Sequence, residues 1–194
     1  VDLLIYKKLK ILKKKSIKCI IVALSSNFNY DKNFNLKKLN IFLKKNNFFC
    51  FLKIHKNTFK FKKNKLSNIK FIIQRSDIYP LLNYFDLLIT DTSSLIYDFL
   101  KIKKNYIFLR LKNNNKFFEE KIENKLYRGI FKKILFDKKK IATDMNSLFF
   151  KIADHINTNK NESDYLNYMN KKFNNNSLKN INTKKILFDI FNFS

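Results

Sequence analysis

The stretch DLLITDTSSLIYDF, residues 86–99, decides the fold. The apolar run 87–90 is typical of a buried strand, and an amphipathic helix is predicted from Ser94 to about Lys101. Four small polar residues, 91–94, separate the two. A strand that leads directly into a helix predicts a parallel sheet covered by helices. The polar residues then lie where the strands end, at the carboxyl edge of the sheet, and ligands bind at that edge in such folds.

The same alternation extends along most of the chain. Further strands are predicted at 17–24, 48–54, 69–73 and 106–109, and a helical stripe recurs at Leu36, Leu39, Phe42 and Leu43. We therefore expect an α/β fold, a Rossmann-like parallel sheet with helices on both faces. The predicted organisation is a basic linker at 1–16, a nucleotide-binding domain at 17–160, and helices at 161–194 packing on that domain.

Three finer predictions concern the connections. Asp77 is expected to cap a short helix with Pro80 in its first turn, where a missing N–H is tolerated. The stretch 56–68 is predicted to be a loop. Leu148, Phe149, Ile152 and Ile156 form a helical stripe near the C-terminus.

The charge of the chain is strongly positive, at +26, yet only Arg75, Arg110 and Arg128 are arginine among its 41 basic residues. Lysine, asparagine, isoleucine and phenylalanine have AT-rich codons, so we interpret the charge chiefly as solvated surface set by codon usage. An anionic partner stays open: nucleic acid, an acidic membrane or a phosphate-bearing substrate. Nucleic acid is the least favoured, because arginines and recognised motifs are scarce.

The sequence also bears on the cellular compartment of the protein and on its need for a cofactor. No apolar run approaches the ~20 residues that a membrane-spanning helix needs, and the first charges come too early for a signal peptide. Cys19 and Cys50 lie in apolar stretches, which favours reduced core residues in the cytoplasm. No carboxylate cluster has metal-ligand spacing, so we expect no metal or other cofactor.

The polar residues after strand 87–90 have two interpretations. The first turn of a helix, with its free N–H groups and positive dipole end, favours an anion, and Thr92 or Ser93 can add hydroxyl donors. Alternatively, Thr92 or Ser93 merely caps the helix. Asp98, one turn after Ser94, faces either the same crevice or solvent.

His55 ends the strand FLKIH and is one of two histidines in the chain. A histidine at a carboxyl edge can contact phosphate or transfer a proton, or it can be a structural hydrogen-bonding residue. His155, beside Asp154 on a helix, is interpreted as a surface residue.

Three segments, in order, resemble the C-terminal half of the CDP-glycerol glycerophosphotransferase family of teichoic acid and capsule polymer synthesis. They are FLKIH (51–55), SDIYPLLNYFDLLITDTSSLIYDFLKIKKNYIFL (76–109) and YRGIF (127–131). The stretch 77–109 is the most specific, although Thr92 stands where the family usually has tyrosine. ALSS (23–26) occupies the place of the family's Ala-Pro-Thr, and KIHKN (53–57) that of Lys-x-His-Pro.

The resemblance implies a domain similar to the C-terminal domain of a GT-B glycosyltransferase. It also implies transfer of glycerol phosphate from CDP-glycerol, or a similar CDP-alditol, to a polymer on a lipid carrier, with release of CMP. His55 would contact the diphosphate or assist proton transfer, while Asp91 and Asp98 would orient the loop or hold an alditol hydroxyl. The remaining substrate-binding positions that it implies are Ser25, Ser26, Thr92, Ser93, Ser94 and Arg128.

The chain departs from the family in lacking the upstream Trp-His-Gly-Thr-Pro motif and the acceptor-side domain. By itself it is therefore expected to bind nucleotide without transferring anything. A fragment, a half that pairs with a partner chain, and a decaying copy stay open as explanations. The expected location is the inner face of the plasma membrane, with lysines such as Lys7 to Lys15 attracted to anionic lipid.

Two other functions stay open. One is a different GT-B nucleotide-sugar glycosyltransferase domain, which would prefer UDP or GDP to CDP. The other is a non-catalytic basic domain that binds anionic lipid or nucleic acid, with binding that is lost in salt.

Overall fold

The computed structural model describes residues 3–25, 34–54, 66–73, 78–91, 93, 95–102, 104–111 and 139–157. The chain divides into two units, Val1–Asn159 and Lys160–Ser194, and every described element lies in the first. The helices predicted for 161–194 and most of the loop predicted for 56–68 lie outside the described residues.

The described strands are β1 (Lys18–Ala23), β2 (Phe48–Ile54), β3 (Ile69–Ile73), β4 (Leu87–Thr90), β5 (Asn105–Leu109) and β6 (Ile141–Ala142). The described α-helices are α1 (Leu3–Lys14), α2 (Leu36–Lys45), α3 (Leu95–Lys101) and α4 (Met145–Asn157). A 3₁₀ helix spans Tyr79–Tyr84.

All six strands pair in parallel in the order β3-β2-β1-β4-β5-β6. β1 and β4 are almost entirely buried, as expected for central strands covered by helices on both faces. This arrangement confirms the predicted α/β class and the Rossmann-like parallel sheet.

Alternation along the strands assigns the helices to two faces. Ile20 and Val22 of β1 and Ile89 of β4 belong to one apolar cluster with the inner faces of α2 and α4. Phe42 of α2 and Phe149 of α4 stack there, with ring centroids 4.5 Å apart. Residues one step along each strand point to the opposite face, where the Lys8 ammonium of α1 lies over the Phe49 ring.

Helix α1 corrects the predicted basic linker. Its lysines suggested a solvated segment, but Ile5, Leu9 and Leu12 recur on one side and are buried. Burial of each such side chain stabilises a fold by about 1.5–3 kcal/mol at most. The exposed apolar side chains of Leu4 and Ile11 hid this periodicity from the sequence analysis.

The edge at which the strands begin, the amino edge, is closed by a charged cluster. Asp86, just before β4, accepts hydrogen bonds from the Lys13 ammonium of α1 at 2.7 Å to each carboxylate oxygen. The backbone N–H of Cys19 in β1 donates to Asp86 Oδ2 at 2.7 Å. One carboxylate thus joins the end of α1 to the starts of two strands.

The smaller predictions for the connections have different outcomes. The residue preceding the 3₁₀ helix is Ile78, which makes no side-chain capping hydrogen bond. Asp77, the predicted cap, lies outside the described residues. Pro80 does lie in the first turn. Strand β6 was not predicted, because two residues are too few for a period of two to show.

Both cysteines are buried and free, as predicted. Burial raises the pKa of the Cys19 thiol to about 11 and that of Cys50 further still. Both side chains therefore stay protonated at neutral pH and serve as core residues.

Candidate functional site at the carboxyl edge

The sheet order locates a crevice between β1 and β4. From β1 the chain passes through α2 to β2 on one side, and from β4 it passes through α3 to β5 on the other. Right-handed crossovers in opposite directions place α2 and α3 on opposite faces of the sheet. The carboxyl ends of β1 and β4 are therefore the topological switch point, at which α/β sheets bind ligands.

Ser25 and Asp91 meet at this switch point. The backbone N–H of Ser25 donates to Asp91 Oδ1 at 2.7 Å, and the Ser25 hydroxyl donates to Oδ2 at 2.6 Å. Asp91 is only 5% exposed, so hydrogen bonds of this kind are needed to offset the loss of water around its carboxylate. The pair fixes the segment after β1 relative to the turn after β4.

A second hydrogen bond joins the same two strand ends. The buried Thr90 hydroxyl donates to the Ala23 carbonyl at 2.8 Å. Thr90 and Ala23 are also partners in the register of β4 and β1. The strand ends beside the crevice are thus held by side chains in addition to the sheet hydrogen bonds.

Ser93 lies two residues before the start of helix α3. Its hydroxyl accepts from the Leu95 N–H at 3.5 Å, and its carbonyl accepts from the Ile96 N–H at 3.4 Å. These distances are at the long limit of hydrogen bonding, so the two contacts are weak. The half-buried Ser93 thus contacts the first turn of α3 and lies two residues from Asp91 at the same edge.

Asp98 lies in the first turn of α3 and is half-buried. A carboxylate at this position interacts favourably with the positive end of the helix dipole. His55, Thr92, Ser94, Ser26 and Arg128 lie outside the described residues, so their site roles stay predictions.

Lys53 is a residue at this edge that the sequence analysis did not assign to the site. It is the penultimate residue of β2 and the register partner of Ala23 in β1, which in turn pairs with Thr90 in β4. Its side chain is half-buried, and burial lowers the pKa of its ammonium. Its signal in the sequence is a lone charge inside an otherwise apolar strand, FFCFLKI.

An open groove of about 610 Å³ lies elsewhere, lined by Asn40, Ile41, Lys44, Lys45 and Ser67. Asn68, next to this groove, donates from its side chain to the carbonyl of Phe48, the first residue of β2. The groove therefore borders the amino edge, away from the Ser25–Asp91 pair.

Within the described ranges, no three His, Cys, Asp or Glu side chains are grouped as a metal site would require. None of the described helices is long and apolar enough to cross a membrane.

Comparison with known proteins agrees with this architecture. Residues 20–192 match the family described as CDP-glycerol:poly(glycerophosphate) glycerophosphotransferase. No curated protein sequence matches the chain.

The fold is similar to solved structures of the wall teichoic acid polymerase TagF. One matches with a TM-score of 0.58 and 17% identity over 86% of this chain and 43% of the polymerase. A histidine-to-asparagine variant matches with a TM-score of 0.60 and 17% identity, over 87% of this chain and 43% of that one. The same variant soaked with CDPG gives a TM-score of 0.57 and 17% identity over 86% and 41%. This chain spans less than half the length of these polymerase structures.

Proposed function

Because the chain belongs to the CDP-glycerol:poly(glycerophosphate) glycerophosphotransferase family, we propose that its β1/β4 crevice binds the CDP-glycerol donor of a teichoic-acid-like polymerase. The observation that supports this most is the joining of Ser25 and Asp91 at the switch point of the sheet. The transfer of glycerol phosphate to polymer is proposed for an enzyme that also contains an acceptor-binding domain.

The proposed reaction is a phosphoryl transfer. An acceptor hydroxyl attacks the β-phosphorus of CDP-glycerol, an O–P bond forms, and the P–O–P bond to CMP breaks. The hydroxyl proton passes to a base, and CMP leaves with the electron pair of the broken bond. Such transfers depend on positioning and on neutralising phosphate charge, which sets what the residues at this edge must do.

The proposed roles follow from position. Ser93 and Ser94, with Thr92, bind phosphate oxygens through hydroxyl and backbone donors. His55, directly after β2, contacts the diphosphate or assists the proton transfer. The other proposed contributors are Ser25 and Ser26 after β1, Asp91 and Asp98 as loop-orienting or alditol-binding carboxylates, and Arg128 as a cation.

Calorimetric titration of the purified chain with CDP-glycerol and CMP tests this proposal. We expect binding at or below millimolar concentrations, weakened roughly tenfold by Ser93→Ala and by His55→Ala, the loss of one charge-assisted hydrogen bond each. Ser67→Ala, near the amino edge, is the matched control and should bind like the wild type. No binding at millimolar ligand, or equal affinity in all variants, contradicts the proposal, and a preference for UDP or GDP sugars favours a different glycosyltransferase.

The proposed acceptor is a polymer on a lipid carrier, reached at an anionic membrane on its cytoplasmic face. The outer side of α1 supports this contact, because Leu4 is 71% exposed and Ile11 50% among exposed lysines, with no acidic residue in Leu3–Lys14. Vesicles with and without anionic lipid test it. Replacing Lys7 and Lys14 by glutamate should abolish salt-sensitive binding, whereas the same change at Lys37 and Lys44 of α2 should weaken it less. Equal losses in the two double variants would instead indicate attraction by overall charge.

A further inference from the structure

Lys53 can be compared with Lys13 and Lys104, two other half-buried lysines. Lys13 is ion-paired with Asp86, and Lys104 donates to the Asn83 carbonyl at 3.2 Å. Within the described part of the chain, Lys53 forms neither an ion pair nor a hydrogen bond, although it is half-buried. Partial burial of an ammonium is unfavourable unless an anion or a set of acceptors offsets it.

The position of Lys53 indicates where that anion would lie. Leu52 and Ile54 belong to the apolar cluster beneath α2, so Lys53 between them points to the opposite face of the sheet. In register, the neighbouring residues on that face are Ala23 of β1 and then Thr90 of β4. Asp91 directly follows Thr90, so this register row lies immediately before the Ser25–Asp91 pair.

The lysine therefore lies on the strand next to the switch point, one strand spacing of about 4.8 Å from β1. Its flexible four-carbon stem can direct the ammonium toward the carboxyl edge. Lysine contacts phosphate as a point charge, which does not demand the fixed geometry of an arginine.

We propose that Lys53 is a phosphate-binding residue of the β1/β4 crevice, with its ammonium contacting the diphosphate of the nucleotide donor. This inference rests on the proposed function for the identity of the donor. The part that does not depend on the donor is narrower: Lys53, which has no counter-ion among the described residues, binds a diphosphate anion beside the crevice.

The test measures binding of CDP-glycerol and of inorganic pyrophosphate to the full chain and to three variants. Lys53→Met should weaken binding of both ligands by roughly tenfold or more, the loss expected for one charge-assisted contact. Lys53→Arg keeps the charge and should stay within about threefold of the wild type. Lys44→Met, at an exposed position of α2, removes the same charge away from the crevice and should change neither affinity by more than about twofold.

The thermal midpoint separates a binding role from a structural one. Because the half-buried ammonium is unfavourable in the empty site, Lys53→Met should unfold at the same temperature as the wild type or higher. If methionine prevents folding, Lys53→Gln replaces it. Equal affinities of Lys53→Met and Lys44→Met overturn the inference while leaving the proposed function intact. If the wild type binds pyrophosphate through Lys53 but does not bind CDP-glycerol, the inference stands and the proposed function fails.

Discussion

Strand β4 has an aspartate at each end, and the two carboxylates hold the fold by different chemistry. At the amino edge, Asp86 is ion-paired with Lys13 of α1 and also accepts from the Cys19 N–H. At the carboxyl edge, Asp91 accepts from the N–H and hydroxyl of Ser25. Both carboxylates join β4 to β1. Asp86 also pairs with a charged lysine, whereas the side-chain partner of Asp91 is the neutral Ser25.

The difference indicates how stability and binding are distributed along one strand. At the amino edge the Lys13 charge is neutralised inside the protein by Asp86. At the carboxyl edge the strand ends are fixed by a short, neutral side chain, and the cation nearby, Lys53, has no protein counter-ion in the described structure. The Lys53 ammonium is therefore the positive charge that an anionic ligand at the carboxyl edge would neutralise.

The largest expected effect on stability is from Asp86→Ala. The substitution leaves the Lys13 ammonium and the Cys19 N–H without this acceptor, and both are partly buried. We expect the free energy of unfolding to fall by about 2–3 kcal/mol, below the value for a fully buried pair because the two side chains are 34% and 19% exposed. Urea unfolding measures it.

Donor affinity of the folded Asp86→Ala protein should equal that of the wild type, because Asp86 lies at the opposite edge from the crevice. Lys13→Met is the matched control. It removes the ion pair but keeps the Cys19 hydrogen bond, so its loss should be about 1 kcal/mol or less. Weaker donor binding in Asp86→Ala would contradict the separation of the two edges.

Asp91→Ala should cost less stability but should also reduce binding. Loss of the two hydrogen bonds from Ser25 is expected to lower the free energy of unfolding by about 1.5–2 kcal/mol. It also releases the segment after β1 from the turn after β4, so CDP-glycerol affinity should fall roughly tenfold, a difference of about 1.4 kcal/mol.

Ser25→Ala is the control for this prediction, since it removes the hydroxyl and keeps the backbone N–H that donates to Oδ1. Ser25→Ala should lose about half as much free energy of unfolding, and about half as much free energy of CDP-glycerol binding, as Asp91→Ala. Parallel urea unfolding and calorimetry of Asp86→Ala and Asp91→Ala measure the contrast directly. If Asp91→Ala unfolds more easily yet binds donor normally, Asp91 is a structural residue like Asp86.

The sequence predicted the parts of this picture that depend on local pattern. Apolar runs such as 17–24 and 87–90 identified the central strands, and the turn after β4 identified the edge at which Asp91 and Ser93 lie. Contacts between distant segments left no local signal: Ser25 meets Asp91 across 66 residues, and Lys13 meets Asp86 across 73. Lys53 did leave a local signal, as the lone charge inside the apolar strand FFCFLKI, but its partial burial depends on the neighbouring strands.

Asp144 extends the comparison to a third aspartate, one that follows a strand end at the carboxyl edge but is exposed. It caps α4, where the backbone N–H of Ser147 donates to Asp144 Oδ1 at 2.8 Å. That hydrogen bond from Ser147 holds the pKa of the Asp144 carboxyl below its ordinary value. Asp144→Ala should therefore lower the free energy of unfolding by about 1 kcal/mol at pH 7, with no change in donor affinity.

The stability lost in Asp144→Ala should depend on pH in a defined direction. A carboxyl whose pKa is lowered by folding contributes stability above its ordinary pKa of about 3.9 and loses that contribution as the pH falls through the lowered value. The gap between wild type and Asp144→Ala in urea unfolding should thus narrow from pH 7 toward pH 3. Asp144→Asn, which caps a helix without titrating, should retain most of the stability at both pH values. A gap that widens on acidification would show that Asp144 stabilises the fold by something other than its ionised cap, and would remove the contrast between an exposed capping carboxylate and the buried Asp91.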